Sequence, residues 1–156
     1  NYGNLPPVEC YGGQLNQVLM NILANAIDAL EEKIQSCALQ SASHRLEELY
    51  TQQPIYQEKK DSLCQITICT SVVDSQWVKI TIADNGPGIP EQIQKKIFNP
   101  FFTTKPVGKG TGLGMSISYQ IITEKHGGKL ECFSTPGVGT EFVIQIPIRA
   151  RVQAVI

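Results

Sequence analysis

Two glycine clusters and a carboxylate are the residues of this chain that could do chemistry with a phosphate-bearing ligand. Asp84 ends an apolar run and is followed by Gly86 and Gly88, and a second cluster has glycines at positions 108, 110, 112 and 114. Glycine lets a ligand approach the backbone closely, and a glycine-rich segment that leads into a helix offers free N–H groups to an anion. These residues predict a nucleotide held at its base by Asp84 and at its phosphates by the second cluster.

The common nucleotide-binding motifs do not account for these glycines. The P-loop needs Ser or Thr after its Gly-Lys pair, but Gly108 and Lys109 are followed by Gly110. The dinucleotide fingerprint needs a third glycine three residues after the second. After Gly110 and Gly112, that position is occupied by Met115. A mobile, glycine-rich surface loop is the alternative. Two clusters that flank a Phe-Phe-Thr-Thr-Lys segment favour a ligand site over loop composition alone.

A polar face on the first long helix adds a second group of candidates. Apolar residues recur at helical spacing from Gln14 to about Lys33, which predicts an amphipathic helix there. Asn21, Asn25 and Asp28 are spaced so that they share the opposite face. A solvated polar face is the alternative, but asparagine is a middling helix former, and glutamate or lysine would serve solvent better. We therefore expect the two asparagines to face a ligand.

Composition and charge limit the function classes. The 156 residues suffice for one domain with a single core, and 42% hydrophobic and 17% charged residues are ordinary for a globular protein. The formal net charge of −1 favours neither a nucleic-acid partner nor an anionic membrane, and no apolar run could span a bilayer. The five cysteines form no C-x-x-C pair, so reduced structural thiols are expected. Because the first residue is Asn1, we expect a piece of a longer protein.

The order of the predicted elements indicates the fold class. After the first helix the patterns predict strands at 65–73 and 76–83, a short helix at 91–98, a long loop, a helix from about 113 to 126, and strands at 129–134 and 140–148. Residues 34–64 are predicted to be a polar insertion, in which an extended helix, a further helix and a flexible segment are all open. This order predicts an α+β fold, a two-layer α/β sandwich with a mixed, mostly antiparallel sheet and helices on one face.

Four separated segments resemble the sequence boxes of one family. Residues 21–29, NILANAIDA, resemble the N box, and residues 84–90, DNGPGIP, resemble the G1 box. Residues 98–105, FNPFFTTK, resemble the F box, and residues 110–114, GTGLG, resemble the G2 box. The chain is thus similar, over nearly its whole length except 34–64, to the catalytic ATP-binding domain of sensor histidine kinases. That domain belongs to the ATPase superfamily shared with type II topoisomerases and the ninety-kilodalton heat-shock chaperones, which has the Bergerat-type ATP-binding fold.

The resemblance implies roles for residues at the base end of the nucleotide. Asp84 is expected to accept the exocyclic amine of adenine, while Gly86 and Gly88 let the chain pass the base closely. Ile89, from the same box, is expected to bind the nucleotide as well. Thr140 resembles a closing motif near the adenine pocket.

The resemblance also implies a metal and a phosphate end. Asn25 is expected to coordinate Mg²⁺, and Asn21 to support the phosphates and the metal shell, so that both act in catalysis. Either Lys105 or Lys109 is expected to approach the γ-phosphate, and the residues alone do not decide between them. The other residues that the resemblance assigns to the nucleotide are Asp28, Phe98, Thr103, Gly110, Thr111, Gly112, Leu113 and Gly114.

The phosphoacceptor histidine of this family lies on a separate dimeric helical hairpin. His44 and His126 lack the acidic residue and basic flank of that acceptor. We therefore expect this chain to bind ATP and to phosphorylate its own or a paired dimerisation domain, with a response regulator downstream. Phe98, Phe101 and Phe102 are expected to dock the helical partner. The resemblance implies a cytoplasmic domain that contacts neither nucleic acid nor membrane, whether or not its parent protein is membrane-anchored.

Three alternative functions are open, two of them within the same superfamily and the third from another functional class. An ATP-hydrolysing member of the superfamily would carry a glutamate general base at the position of Asn21, and asparagine cannot accept that proton. A serine kinase of the same superfamily is disfavoured by the extended Phe-Phe-Thr-Thr-Lys segment. A noncatalytic interaction module with this fold would not need the asparagines, the aspartate and the glycines that this chain carries.

Overall fold

The computed structural model describes residues 1–51, 63–106, 108 and 110–149, and in that part of the chain it has a four-stranded antiparallel sheet. The strands β1 to β4 are, in chain order, Ile66–Val72, Trp77–Asp84, Lys129–Thr135 and Gly139–Pro147. Their spatial order is β1-β2-β4-β3, so two hairpins meet where β2 pairs with β4 at the centre. The predicted α+β class is confirmed. Among the described residues, parallel pairing is limited to an isolated bridge between Tyr2 and Thr70.

One face of this sheet carries the hydrophobic core. Alternate residues of β2 and β4 point to that face, and the first helix, α1 (Gly12–Thr51), packs on it together with a π-helical turn at Ile121–Lys125. Full burial of each large apolar side chain contributes about 1.5–3 kcal/mol, so this face dominates the stability of the fold. The buried cluster comprises Val18, Ile22, Val78, Ile82, Ile97, Ile121, Ile122, Leu130, Phe142, Ile144 and Ile146.

Helix α1 extends much further than its apolar periodicity predicted. The expected end near Lys33 is wrong, because the helix continues to Thr51, and a helical extension is therefore the correct option for residues 34–51. The physical reason is that neither glycine nor proline occurs between Gly13 and Pro54, while good helix formers are frequent. Residues 52–62 of the predicted insertion lie outside the described part of the chain. Within that part, no helix combines the length and the apolar content that a bilayer crossing requires.

The first of the two later helices is shorter than predicted, whereas the second spans almost its predicted range as an α-helix followed by a π-helical turn. Helix α2 comprises Glu91–Gln94, half of its predicted length, and turns replace the rest. Helix α3 comprises Gly114–Gln120 and passes directly into the π-helical turn, which Gly127 follows with a φ of 59°. Every strand agrees with its predicted range to within one residue. One of these small differences matters for the site. Asp84, predicted to follow the strand, is instead the last residue of β2, so the sheet holds its backbone.

A buried histidine ties the N-terminal segment to the end of the third helix. His126 Nε2 accepts the backbone N–H of Tyr11 at 3.1 Å, and His126 Nδ1 lies 2.8 Å from the carbonyl oxygen of Ile121. A carbonyl oxygen only accepts, so Nδ1 carries the hydrogen of a neutral ring. The Tyr11 ring packs edge-on against the imidazole, with ring centroids 5.5 Å apart. Both ring nitrogens are therefore used in the fold.

Replacing His126 with alanine is expected to lower the free energy of unfolding by about 1–3 kcal/mol, because backbone groups of Tyr11 and Ile121 lose their hydrogen-bond partner. Urea denaturation of wild type and variant measures this difference. Lys125→Ala, at the exposed neighbouring position, is the matched control and should change the free energy by less than about 0.5 kcal/mol. A His126→Ala variant as stable as the control would contradict the structural role of the ring.

Candidate functional site

Asp84 lies at the end of β2, where the central strand pair places it opposite Thr140. Its Oδ1 accepts the backbone N–H of Gly86 at 2.8 Å. Thr140 is only 6% exposed, and its Oγ1 lies 2.9 Å from Ser134 Oγ, which donates to the carbonyl of Gly139 at 2.9 Å. Both central strands and the following loop therefore hold the carboxylate in one position.

The charge of Asp84 is disfavoured by its surroundings. Burial raises the pKa of its carboxyl above the usual value, because desolvation penalises the charged form. Backbone hydrogen bonds from Gly86 and Thr140 and the positive charge of Lys33 lower that pKa without cancelling the effect of burial. Lys33 is held nearby because its Nζ donates to the carbonyl of Asn85 at 2.7 Å. A half-buried carboxyl with a perturbed pKa is typical of a binding site.

Cys132 lies close to Asp84 and was not among the residues predicted from the sequence. Burial, and secondly the negative charge of Asp84, raise the pKa of the Cys132 thiol to about 12. The thiol is therefore uncharged near neutral pH, and it adds a small apolar surface beside the carboxylate. No sequence signal could mark it, because its place next to Asp84 depends on β3 lying beside β4 in the sheet.

The loop after β2 is held on the hairpin of β3 and β4. Gly88 has a φ of 73°, and a Cβ there would overlap the carbonyl of Thr135, so glycine is required. The backbone N–H of Ile89 donates to Ser134 Oγ at 2.8 Å. Gln94 Nε2 donates to the carbonyl oxygens of Ile89 at 2.6 Å and of Ser134 at 2.8 Å. Ser134 and Gln94 thus position the predicted loop residues, although the sequence analysis had singled out neither.

Asn21, on the predicted polar face of α1, contacts the start of α3. Its Nδ2 donates to the carbonyl oxygen of Gly114 and to Ser118 Oγ, and both distances are 3.1 Å. Gly114 lies so close that a Cβ there would be 3.6 Å from Asn21 Cγ. The side chain that was expected to support phosphates therefore joins two helices, and its partner Ser118 was missed by sequence reasoning.

Lys105 joins the other two polar residues of this face. Its Nζ donates to Asn25 Oδ1 at 3.1 Å and forms an ion pair with the carboxylate of Asp28. Two oxygens from successive turns of α1 thus converge on one cationic group. Amide and carboxylate oxygens are also the ligands that Mg²⁺ prefers, so the donor set fits that ion. Lys109, the other lysine considered, lies outside the described residues.

The second glycine cluster folds back on the Phe-Phe-Thr-Thr-Lys segment. Gly112 has a φ of 67°, and a Cβ there would overlap the backbone of Phe101, so this position also requires glycine. A Cβ on Gly110 would come within 2.8 Å of Thr103 Oγ1. The close approach of the two segments brings the glycines, Thr103 and Lys105 into one loop cluster beside α1.

The remaining predicted residues surround the start of α3. Leu113 immediately precedes the helix, and its N–H donates to Thr111 Oγ1 at 3.3 Å. Phe98 is half-buried and packs against Tyr119 of α3, with ring centroids 5.1 Å apart. Phe101, in contrast, is 76% exposed. The structure therefore places Asn25, Asp28 and Lys105 together on α1, Asn21 against the start of α3, and Asp84 near the Lys33 end of α1.

Comparison with known proteins identifies the family. A family model described as "Histidine kinase-, DNA gyrase B-, and HSP90-like ATPase" matches residues 11–150. The chain belongs to this ATPase family, and the resemblance on which the site roles depend is confirmed.

Similar proteins narrow the comparison to sensor kinases. The chain is 37% identical over 141 residues to the two-component sensor PprA of Pseudomonas aeruginosa, and 37% identical over 144 residues to the sensor kinase CckA of Brucella abortus. These matches cover 90% and 92% of this chain but only 12% and 13% of the two relatives. The chain therefore corresponds to one part of much longer sensor kinases.

Solved structures agree with the predicted fold. The catalytic domain of the histidine kinase ThkA matches with a TM-score of 0.60 at 30% identity, over 91% of this chain and 72% of that one. ThkA in complex with the response regulator protein TrrA matches with a TM-score of 0.61 at 28% identity, over 95% of this chain and 33% of that one. The two-layer arrangement of helices on an antiparallel sheet is thus shared with a histidine kinase catalytic domain.

Asp84→Asn is expected to raise the free energy of unfolding near neutral pH, because it removes a charge that burial disfavours and keeps an acceptor for the Gly86 N–H. The sign follows from the raised pKa of Asp84: the native state holds the proton more tightly than the unfolded state. The stabilisation from proton binding is therefore present below the ordinary carboxyl pKa and is lost as the pH rises through the raised value. Urea denaturation of wild type and Asp84→Asn at pH 7.5 and at a pH of about 4 measures the difference in the free energy of unfolding. This difference should be smaller at the lower pH.

The control for this prediction is Glu141→Gln, which removes an exposed carboxylate from the neighbouring strand. It should leave stability unchanged at both pH values. Equal stability of wild type and Asp84→Asn at pH 7.5 would show that burial does not strain the aspartate.

Proposed function

We propose that this domain binds ATP with Mg²⁺ and transfers the γ-phosphate to a histidine on a separate dimerisation domain. The observation that carries the proposal is the convergence of Asn25 and Asp28 on a cationic group beside a glycine-rich loop, with the half-buried Asp84 near the far end of the same helix face. Phosphoryl transfer needs positioning and charge neutralisation more than covalent chemistry from the protein. We also propose that residues 1–156 form a single catalytic domain of a longer protein.

The base end of the site is assigned to adenine. Asp84 accepts the exocyclic amine, and Gly86 and Gly88 let the base lie against the chain. Guanine would present a carbonyl oxygen to the same carboxylate, so the site favours adenine. Ile89 and Thr140 complete the binding surface, and the support for this assignment is that Asp84 and Thr140 are paired in the sheet.

The phosphate end is assigned to the loop cluster beside α1. Asn25 would hold Mg²⁺ through Oδ1 with Asp28 close by, and the ion, when bound, neutralises phosphate charge. We assign Lys105 to the γ-phosphate because its ammonium already lies at Asn25 Oδ1. If Asn25 Oδ1 binds the metal, the Lys105 ammonium must move away from that oxygen. The γ-phosphate is then an anionic partner for the ammonium. The phosphates are assigned to Thr103, Gly110, Thr111, Gly112, Leu113 and Gly114, with Phe98 nearby; Lys109 stays a prediction.

The acceptor histidine is proposed to come from another domain. His126 uses both ring nitrogens in the fold, and the side chain of His44 lies outside the described residues. Asn21 cannot take a proton from a nucleophile, so the attacking group must be reactive without a base. A neutral imidazole nitrogen meets that requirement near pH 7.

The proposed partners follow from the placement of ATP and the acceptor histidine on different domains. We propose that Phe98, Phe101 and Phe102 dock the helices of the chain's own or a paired dimerisation domain, since Phe101 is an exposed aromatic beside the phosphate end. A response regulator would then take the phosphate from the histidine, in keeping with the name of the ThkA–TrrA complex. Both steps belong to the cytoplasm, where ATP is available. Neither nucleic acid nor membrane contact is part of the proposal.

ATP binding is expected to be saturable, to depend on Mg²⁺ and to require Asp84. Loss of a hydrogen bond to a charged acceptor costs about 1.5–3 kcal/mol, so Asp84→Ala should weaken ATP by about 10- to 150-fold. Isothermal titration with ATP, with and without Mg²⁺, measures both effects. Glu141→Ala, an exposed acidic position on β4, is the control and should bind as wild type does. Absence of saturable binding at millimolar ATP would exclude the nucleotide assignment, and unchanged affinity in Asp84→Ala would exclude the adenine assignment.

Phosphate transfer in trans is expected to depend on Asn25. Labelled ATP should place acid-labile, base-stable label on a histidine of the dimerisation domain. Asn25→Ala removes a ligand oxygen and should lower this transfer at least about 100-fold, the upper end of what losing a supporting group costs a metal site. Asn16→Ala, an exposed asparagine on the same helix, is the matched control. Rapid release of free phosphate without histidine labelling would instead favour an ATP-hydrolysing function.

A further inference from the structure

The side-chain amide of Asn21 has a fixed orientation. Nδ2 lies 3.1 Å from the carbonyl oxygen of Gly114 and 3.1 Å from Ser118 Oγ. A backbone carbonyl oxygen can only accept, so the amide atom that faces it must be the nitrogen. The two acceptors on α3 lie only 2.8 Å from each other, so one amide hydrogen is directed between them.

Ser118 provides the second acceptor of the Asn21 amide nitrogen. Its side chain is 0% exposed, and its Oγ donates to the carbonyl oxygen of Gly114 at 2.8 Å. A hydroxyl has one hydrogen, so Ser118 must receive the Asn21 N–H through a lone pair. Gly114, Ser118 and Asn21 thus form a closed triangle of hydrogen bonds between α1 and α3.

The triangle directs the amide nitrogen of Asn21 to α3 and leaves its oxygen available. Among the described residues, none donates a hydrogen bond to Asn21 Oδ1, while Nδ2 is bonded to α3. Phosphate oxygens near neutral pH are themselves acceptors, so this side chain cannot bond to them through its oxygen. Its oxygen can accept from a donor that enters the site, such as a metal-bound water or the N–H of an attacking imidazole, or it can ligate a cation.

We propose that Ser118 is a positioning residue that holds Asn21 so that Oδ1 faces the reacting groups. The inference rests on the proposed function and refines the role first expected for Asn21: its oxygen orients the groups that enter the site and does not bond to the phosphates. Asn21 acts on the transfer step, whereas ATP affinity depends on Asp84 and the glycine loops. Loss of the Ser118 hydroxyl therefore affects the rate at saturating ATP and not the binding of ATP.

Ser116 provides a matched control on the same helix. It is 5% exposed, and its Oγ donates to the carbonyl oxygen of Leu113 at 3.0 Å. Ser116→Ala and Ser118→Ala each delete one buried hydroxyl bonded to a backbone carbonyl in the first turn. Only Ser118 also receives the amide of Asn21, so the two variants differ in the contact that matters.

The test compares Ser118→Ala, Ser116→Ala and Ser118→Thr in the full-length protein that contains this domain. Histidine phosphorylation at saturating ATP, the dissociation constant for ATP with Mg²⁺, and the free energy of unfolding are measured for each. Misplacement of a group in the site by an ångström costs up to about a hundredfold, so Ser118→Ala should lower the transfer rate about tenfold with ATP affinity within about twofold. Ser116→Ala should keep the wild-type rate, and Ser118→Thr, which retains a hydroxyl, should recover most of it.

The outcomes separate this inference from the proposed function. No histidine phosphorylation in the wild type overturns both. Phosphorylation in the wild type with equal rates for Ser118→Ala and Ser116→Ala overturns the positioning role alone. A rate that falls only in proportion to the folded fraction, or to the loss of ATP affinity, also overturns it, because either pattern belongs to a merely structural hydroxyl.

Discussion

One face of α1 is the constraint on which the candidate site depends. Asn21 bonds the start of α3, and Asn25 and Asp28 hold the lysine of the loop cluster. Further along the same face, Ala29 packs against Gly86, and Lys33 donates to the carbonyl of the residue before that glycine. The helix rises about 1.5 Å per residue, so residues 21 and 33 are separated by about 18 Å along its axis. This rigid length sets the distance between the two ends of the site. The opposite face of the helix is buried on the sheet, so the spacing cannot change without loss of the core.

The sheet holds the carboxylate of Asp84, the other essential group of the site, at an energetic cost. Register pairs Asp84 with Thr140, and the β3–β4 hairpin supports both the loop after β2 and the threonine through Ser134. The pKa of Asp84 is raised because burial outweighs two backbone hydrogen bonds and the charge of Lys33. The neutral thiol of Cys132 adds to this desolvated surface without competing for charge. A carboxylate that has lost water on burial is stabilised by a ligand that donates a hydrogen bond to it. The exocyclic amine of adenine is such a donor, and this is the physical basis of the adenine assignment.

Sequence reasoning succeeded where periodicity or backbone conformation is local, and it failed where a residue acts through a distant contact. Alternation predicted each strand to within one residue, and the requirement for glycine at Gly88 and Gly112 agrees with their positive φ values. The end of α1 was misplaced because apolar periodicity fades after Lys33 although no helix breaker follows until Pro54. Ser118, like the supporting residues of β3, could not be found, since its role arises from a partner 97 positions away. Spacing shows which residues share a face, but not which element lies opposite that face.

The groups at the candidate site are suited to hold charge and position but not to attack. Asn21 has no proton-accepting side chain, and its amide nitrogen donates to α3. The ammonium of Lys105 is a cation engaged with α1, and the pKa of the Cys132 thiol is too high for a thiolate near neutral pH. His126 has its two ring nitrogens committed to backbone groups. A phosphoryl donor needs little more than positioned oxygens, cations and backbone N–H groups. None of these four groups is therefore suited to supply the nucleophile, which agrees with a domain that holds ATP for a nucleophile from elsewhere.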